Sequence, residues 1–217
     1  MFKSTSGITK IDLTKFDTSN VISMEGMFQN CEYLQYLNIN GMKTSSVTNM
    51  ESMFENCKKL ESLDLSSFET SSVLNMKKMF CNCENLMYID VSNLDTSSVS
   101  DMTQMFSFCK KLSSIDLSNF VIKNANTYQM FSYCEKIKSI KFSDINKMSS
   151  TNMGNMFWNC NEITSLDLSN FDTISCTYMA YLFDNCFQLI LVDLSNLLLH
   201  LLNHLNICFL IAQNCNH

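Results

Sequence analysis

The sequence predicts an α/β solenoid, in which a parallel β-sheet lines one side of a coiled chain and short helical turns line the other. The first observation is an internal repeat of 25 or 26 residues, marked by Cys31, Cys57, Cys83, Cys109, Cys134, Cys160 and Cys186. The second is a change of hydrophobic period within each unit, from that of a strand to that of a helix. One such unit cannot bury its own apolar face, so successive units must stack and share a core.

The first part of each unit alternates apolar and polar residues, as Leu63, Asp64, Leu65 and Ser66 show. This alternation is typical of a strand with one buried and one exposed face. It recurs eight times along the chain. Equivalent strands are therefore expected side by side in one parallel sheet, about 4.8 Å apart.

The second part of each unit has a different period. Met50, Met53, Phe54 and Cys57 fall at positions i, i+3, i+4 and i+7, which lie on one face of a helix. The residue before the first methionine, whose place Thr127 takes in one unit, is a helix N-cap type in six of seven units: Ser23, Asn49, Asn75, Asp101, Asn126 and Asn152. The pattern predicts a short, capped helical turn in every unit.

The chain makes its corners almost without the usual turn residues. It contains four Gly and no Pro in 217 residues, where average usage would give roughly 15 Gly and about 11 Pro. Asn commonly precedes the repeat cysteine, and Asn tolerates the left-handed backbone conformation better than other non-Gly residues. Ser and Thr after each strand are expected to form the other corner by bonding their own backbone.

Composition and charge exclude several classes of protein. Hydrophobic residues make up 46% of the chain, which is too much for low-complexity disorder. The net charge of −6 provides no basic face, so nucleic acid is not an expected partner. The 11 cysteines include no Cys-x-x-Cys pair, which argues against a zinc ribbon. A cysteine that recurs once per unit is best interpreted as a small buried hydrophobe rather than as half of a disulfide.

The sequence offers little material for catalysis. It has no phosphate-binding or dinucleotide-binding glycine motif and no nucleophile elbow. All three histidines follow the repeats, and His200 and His204 have the spacing of a zinc pair but no adjacent Glu or third ligand. We therefore expect no enzyme, no cofactor and no metal centre, with a metal site at the tail histidines as a weaker alternative.

The outward position of the strand segment is acidic in most units. It is occupied by Asp12, Asn38, Asp64, Asp90, Asp116, Lys141, Asp167 and Asp193, which we call the Asp column. In one interpretation the column is structural, with each Asp accepting hydrogen bonds from Ser and backbone groups. In the other it is a carboxylate strip that recognises a basic or polar partner, or weakly holds Ca²⁺. Asp64, Asp90, Asp116, Asp167 and Asp193 are its candidate binding residues, strongest from Asp64 to Asp116.

Three successive units carry an aromatic residue one or two positions before the repeat cysteine, where other units carry mostly polar residues. These are Phe108, Tyr133 and Trp158, which we call the aromatic triad. Stacking of the units should make them neighbours. The triad is interpreted either as a local repacking or as a contact patch for a partner, because exposed aromatic anchors are frequent binding hot spots.

The unit L-x-x-L-D-L-S-x-F-x-T-S-x-V-x-N-M-x-x-M-F-x-x-C resembles the BspA-type leucine-rich repeat, over residues 8–196. That repeat occurs in microbial surface proteins and in mycoplasmal lipoprotein-like proteins of unknown function. The resemblance implies a leucine-rich-repeat-like solenoid that works as a non-catalytic scaffold for protein–protein interaction or adhesion. It also implies a cell-surface or extracellular location, although no signal peptide or anchor is visible. The alternative is a purely structural spacer or assembly element.

The expected organisation is one solenoid over residues 1–196, with about seven repeats and a leading half repeat, followed by a degenerate apolar tail over residues 197–217. The tail is expected to form a helix that caps the last coil, because the exposed core edge of a solenoid must be covered. A membrane segment or an altered reading frame would give the same abrupt change. The polar residues within the tail argue against a membrane as partner.

Overall fold

The chain winds into seven stacked coils and begins an eighth. The structure, a computed structural model, describes residues 1–5, 7–143 and 148–194. Coil 1 ends at Cys31 and coil 7 at Cys186, and each coil has a strand side and a turn side. The strand side carries the alternating segments, and the turn side carries the segments equivalent to Met24–Cys31. The tail over residues 197–217, with its predicted cap, lies outside the described residues.

All strands in the described residues pair in parallel. They are β1 (Lys10–Asp12), β2 (Tyr36–Asn38), β3 (Ser114–Asp116), β4 (Lys123–Asn126), β5 (Ser139–Lys141), β6 (Met148–Asn152), β7 (Ser165–Asp167), β8 (Phe171–Asp172) and β9 (Leu191–Asp193). On the strand side β1 pairs with β2, β3 with β5, and β7 with β9. A further sheet, β4-β6-β8, lies in the segments that connect the two sides. The predicted parallel solenoid is therefore confirmed.

The prediction of one continuous sheet on the strand side is wrong. The alternation itself is present, since the middle residue of β1, β3, β5 and β7 is buried and its neighbours are exposed. However, the equivalent segments of coils 3 and 4 form no strand, and β5 does not pair with β7. The strand side is thus a row of separate strand pairs with unpaired segments between them.

The predicted helical turns are also wrong, because the described residues contain no helix. In coil 2 the N–H groups of Met53 and Cys57 donate to the carbonyls of Met50 and Phe54, which makes consecutive tight turns. Ser52 and Asn56 have φ values of 55° and 61°, and a left-handed residue at every fourth position prevents a helix from continuing. The fold is a parallel β-solenoid with a turn side, not an α/β solenoid.

Those left-handed residues turn alternate N–H groups towards the next coil. The N–H groups of Ser52 and Phe54 donate to the carbonyls of Lys77 and Met79, at 2.8 and 2.9 Å. The same bonds recur between every successive pair of coils in the described part of the turn side. Asn49 accepts the N–H of Glu51 at 2.9 Å, so the predicted cap residues bind a turn rather than a helix. The turn side is therefore the continuously hydrogen-bonded side.

Two ladders of buried side chains run through the core. Stacked phenylalanine rings, with centroids 5.3–6.1 Å apart and planes within 8°, run through Phe2, Phe28, Phe54, Phe80, Phe106, Phe131, Phe157 and Phe183. Beside them, all seven repeat thiols donate to the phenylalanine carbonyl one coil earlier, at 3.0–3.3 Å. Burial raises the pKa of thiols such as Cys83 and Cys109 well above its usual range. The nine described cysteines are free and buried, which confirms the interpretation of the repeat cysteine as a buried hydrophobe.

Buried threonines join the coils in the connecting segments. The hydroxyl of Thr96 donates to the carbonyl of Val121 at 3.0 Å and accepts the N–H of Val121 at 2.9 Å. Thr44 makes the same two bonds to Glu69. The prediction that corner threonines bond their own backbone is wrong for these side chains, which bond the backbone of the next coil. They replace hydrogen bonds that a continuous sheet would have supplied.

Gly154 makes room for a tyrosine of the next coil. A Cβ at this glycine would overlap ring atoms of Tyr178, which stands in the column otherwise occupied by Ser, Asn and Asp. We expect Gly154→Ala to lower the free energy of unfolding by about 1–3 kcal/mol through overpacking. In a Tyr178→Asn background most of this cost should disappear. Urea denaturation, with and without Gly154→Ala in the parent and in the Tyr178→Asn background, measures the two costs. An equal cost in both backgrounds would contradict this packing.

Candidate binding surface

The Asp column forms a regular series of turns at the ends of the strand segments. Four of its carboxylates accept the backbone N–H of the residue two positions later, at 2.8–2.9 Å: Asp64, Asp90, Asp116 and Asp167. The hydroxyl and the N–H of that serine hold the pKa of each of these carboxyls below its usual range. The exposed carboxylates are therefore ionised at neutral pH, and the column has the structural role that the sequence suggested.

Like charges accumulate between coils 3 and 5. Hydrogen bonds from Ser92 lower the pKa of Asp90, while the negative charges of Asp64 and Asp116 act in the opposite direction with a smaller effect. Asp116 has a partial counter-charge, because its Oδ2 lies 3.7 Å from the Nζ of Lys141. Within the described part of the chain, neither Asp64 nor Asp90 forms an ion pair. The uncompensated negative charge is thus centred on coils 3 and 4.

Lys141 divides the column into two acidic segments. Asp64, Asp90 and Asp116 stand in successive coils before it. Asp167 and Asp193 follow it, and they lie side by side in the register of β7 and β9. The structure therefore brings the first three predicted residues together and places the last two in a separate segment.

A tyrosine that the sequence analysis did not single out stands beside this charge. Tyr88 lies two residues before Asp90 on the same face and is 62% exposed. It lines a cleft of about 210 Å³ between coils 3 and 4, together with Asp64, Asp90 and Ser92. The cleft occurs where the strand segments do not pair. The sequence contains a signal for Tyr88, which is an aromatic residue at an exposed strand position next to the Asp column.

A second tyrosine, at the equivalent position of another coil, has a cation over its ring. Tyr36 occupies the equivalent place in coil 2, and the Nζ of Lys10 in coil 1 lies 4.7 Å from its ring centroid. The residue in coil 3 that corresponds to Lys10 is Ser62, so the chain places no cation at the same position against Tyr88. The Tyr88 ring thus has the environment of a cation–π site without the cation.

The aromatic triad assembles as expected from the stacking of the coils. The rings of Phe108 and Tyr133 stack with centroids 4.3 Å apart, and Trp158 meets Tyr133 edge-on at 4.9 Å. Phe108 and Tyr133 both have φ of 59°, in the column where Asn usually stands. Each aromatic contact is worth about 0.5–1.5 kcal/mol, which offsets the unfavourable backbone conformation. This supports the repacking interpretation, and a contact patch at the half-buried triad stays a prediction.

Other candidate sites find no support in the described residues. Residues 1–5, 7–143 and 148–194 contain no group of three or more His, Cys, Asp or Glu side chains that could hold a metal ion. The same residues include no helix of the length and apolar character needed to cross a membrane. His200 and His204 lie outside the described residues.

Comparisons with known proteins find one matching family and similar solved structures. The sequence model of a family described as "Mycoplasma protein of unknown function, DUF285" matches residues 1–120, 64–166 and 114–217. No match was found among curated proteins. A leucine-rich repeat protein from Bacteroides ovatus ATCC 8483 matches with 21% identity over 84% of this chain and 54% of its own, with a TM-score of 0.45. This chain therefore spans about half the length of that structure.

A second solved structure is a leucine-rich cell surface protein from Faecalibacterium prausnitzii A2-165. It has 14% identity to this chain, covers 86% of this chain and 83% of its own, and gives a TM-score of 0.29. The resemblance to mycoplasmal repeat proteins of unknown function that the repeat unit suggested is confirmed by the match to the family, which extends over the whole chain.

Proposed function

We propose that this chain, which belongs to the family of mycoplasma proteins of unknown function DUF285, is a non-catalytic scaffold whose strand side binds a basic segment of a protein partner. One observation carries the proposal. In the cleft between coils 3 and 4, the exposed ring of Tyr88 stands with two ionised carboxylates, Asp64 and Asp90, that have no ion-pair partner in the described residues. The aromatic face and the two charges together favour a Lys or Arg side chain.

The expected binding is weak at each contact and strengthened by repetition. A cation over an exposed tyrosine gains about 0.5–1 kcal/mol, and an exposed ion pair gains about 0.2–1 kcal/mol. A basic segment that follows the column from Asp64 to Asp116 would make several such contacts at once. Because all of them are exposed, the affinity should fall steeply as salt is added.

The competing function is a structural spacer, in which the Asp column serves only its own turns. The hydrogen bond that each Asp accepts from the residue two positions later favours this alternative. It does not account for the exposed Tyr88 or for the lack of an ion pair at Asp64 and Asp90 within the described residues. Asparagine at these positions would serve the turn equally well, as Asn38 does with the N–H of Asn40 at 3.2 Å.

The proposal is tested by replacing Asp64, Asp90 and Asp116 together with Asn. Asn keeps the side-chain oxygen that the turn needs, so the variant should fold. Titration of a fluorescent Lys/Arg-rich decapeptide at low salt should show about tenfold weaker binding, equivalent to about 1.4 kcal/mol. Tyr88→Leu should weaken binding about two- to fivefold, which corresponds to a lost cation–π contact.

Asp12→Asn is the matched control. Asp12 forms the same turn with Thr14, and the adjacent position in coil 2 is the neutral Asn38, so this variant should bind like the parent. Circular dichroism checks that all variants are folded. Unchanged binding by the folded triple variant, or an equal loss in Asp12→Asn, would contradict the proposed function and favour the spacer.

A further inference from the structure

The strand side opens between coils 6 and 7. β5 pairs with β3 and β7 pairs with β9, but β5 and β7 share no hydrogen-bonded register. The two coils stay joined elsewhere, by the pairing of β6 with β8 and by turn-side bonds such as Asn155 N–H to the carbonyl of Ala180 at 2.9 Å. The separation on the strand side leaves a cleft of about 440 Å³, within the size range of small-molecule sites.

The floor of this cleft is apolar and packed. Ile140 and Phe142 are 8% and 7% exposed. Phe142 stands where the other coils carry Leu, Ile or Val, and its ring meets Phe171 of coil 7 edge-on at 5.1 Å. At one end, the amide of Asn170 donates to the carbonyl of Ser143 at 2.7 Å and bridges the two coils. The floor is therefore held in place by both coils.

The walls of the cleft carry one positive and one negative charge. Lys141 lies on the coil 6 wall, at a position of the Asp column that is acidic in most coils, and Asp167 lies on the coil 7 wall. The Nζ of Lys141 lies 3.7 Å from Asp116 of coil 5, in an exposed ion pair of the kind worth little energy. Asp167 forms no ion pair within the described residues and accepts the N–H of Ser169 at 2.9 Å. Ser139 and Ser165 add hydroxyl groups to the two walls.

We propose that this cleft binds a small zwitterion with the chemistry of a free amino acid or a short unblocked peptide. Its carboxylate would pair with the ammonium of Lys141, and its ammonium group with the carboxylate of Asp167. The serine hydroxyls and the unpaired strand edges would meet the remaining polar groups of the ligand, and Phe142 would form the floor. This site is separate from the one in the proposed function. It contains the ammonium group of Lys141, whereas the Asp column from Asp64 to Asp116 contains only carboxylates.

The proposal is tested by titrating the full chain with triglycine and following the backbone amide resonances by nuclear magnetic resonance. The amides of Lys141, Phe142 and Asp167 should shift and saturate with a Kd on the order of 1 mM. Acetate and methylammonium, which carry one charge each, should give no saturable shift. Lys141→Gln should weaken triglycine binding about fivefold, as expected for loss of one exposed ion pair.

Lys138→Gln is the control, because Lys138 is an exposed lysine of the same coil, 3.9 Å from Glu162, and does not line the cleft. It should leave triglycine binding unchanged. The proposal is overturned if triglycine gives no saturation at roughly ten times the expected Kd. It is also overturned if acetate or methylammonium alone reproduces the shifts, or if the two lysine variants lose the same affinity.

Discussion

Replacing Phe80 with Ala should lower the free energy of unfolding by about 3–5 kcal/mol, the cost of a large cavity in a packed core. Phe80 is fully buried, and its ring stacks between Phe54 and Phe106 with centroid distances of 5.5 and 5.3 Å. The substitution therefore interrupts the phenylalanine ladder at its centre and removes ring contacts on both faces. Urea denaturation followed by circular dichroism measures the change.

Two further variants make this expectation specific. Phe80→Leu keeps much of the apolar volume and should recover a large part of the loss. Phe187 is 78% exposed, so Phe187→Ala should change the free energy of unfolding by no more than about 0.5 kcal/mol. If Phe80→Ala costs no more than Phe187→Ala, the ladder does not hold the coils together.

Replacing Thr96 with Val should cost about 2 kcal/mol, although the two side chains have nearly the same shape. Thr96 is 1% exposed, and its hydroxyl makes two hydrogen bonds to the backbone of Val121 in the next coil. Val would leave the carbonyl and the N–H of Val121 without a hydrogen bond. Each such group costs about 1–3 kcal/mol when it is fully buried, and Val121 is half-buried. Thermal and urea denaturation measure the loss.

Thr164 provides the matched control, because it is exposed on the strand side. Thr164→Val should alter stability by no more than about 0.5 kcal/mol. Thr96→Ser keeps the hydroxyl and should therefore cost less than Thr96→Val. An equal cost for Thr96→Val and Thr164→Val would show that the threonines do not join the coils.

The repeat and its ladders could be predicted from the sequence because one period governs the whole chain. Once the units stack, Cys83 must lie over Cys57 and Phe80 over Phe54. The left-handed conformation of Asn56 and Asn159 was also predictable, because Asn is the non-Gly residue that best adopts it. These features depend on spacing and residue type, which a sequence displays directly.

The helical turn was predicted wrongly because its signal is ambiguous. Apolar residues at i, i+3, i+4 and i+7 also result from consecutive tight turns, as in Met50–Cys57. What distinguishes the two is a left-handed residue at a second position, which is filled by Ser52, Lys78 and Gln104 in successive coils. None of these residue types favours that conformation. It is held by hydrogen bonds to the next coil, which only the assembled stack reveals.

Only part of the candidate site could be predicted from the sequence. The alternation of the strand segment placed Asp64 and Asp90 on an exposed face, and the structure agrees. The clefts could not be predicted, because they arise where strand segments fail to pair, although the same alternation occurs in paired and unpaired segments. Tyr88 could have been found by comparing its column with Tyr36, which already holds Lys10 over its ring.

We infer that the turn side holds the stack together and that the strand side is left open. Amide hydrogen exchange compares the two sides. The N–H groups of Lys78 and Phe80 bond the next coil at 2.8 Å, and we expect them to exchange only through global unfolding. The N–H groups of Asp64 and Asp90 donate no backbone hydrogen bond within the described residues, and they should exchange at least about 100-fold faster. Equal protection of the two sides, or slower exchange on the strand side, would contradict the claim.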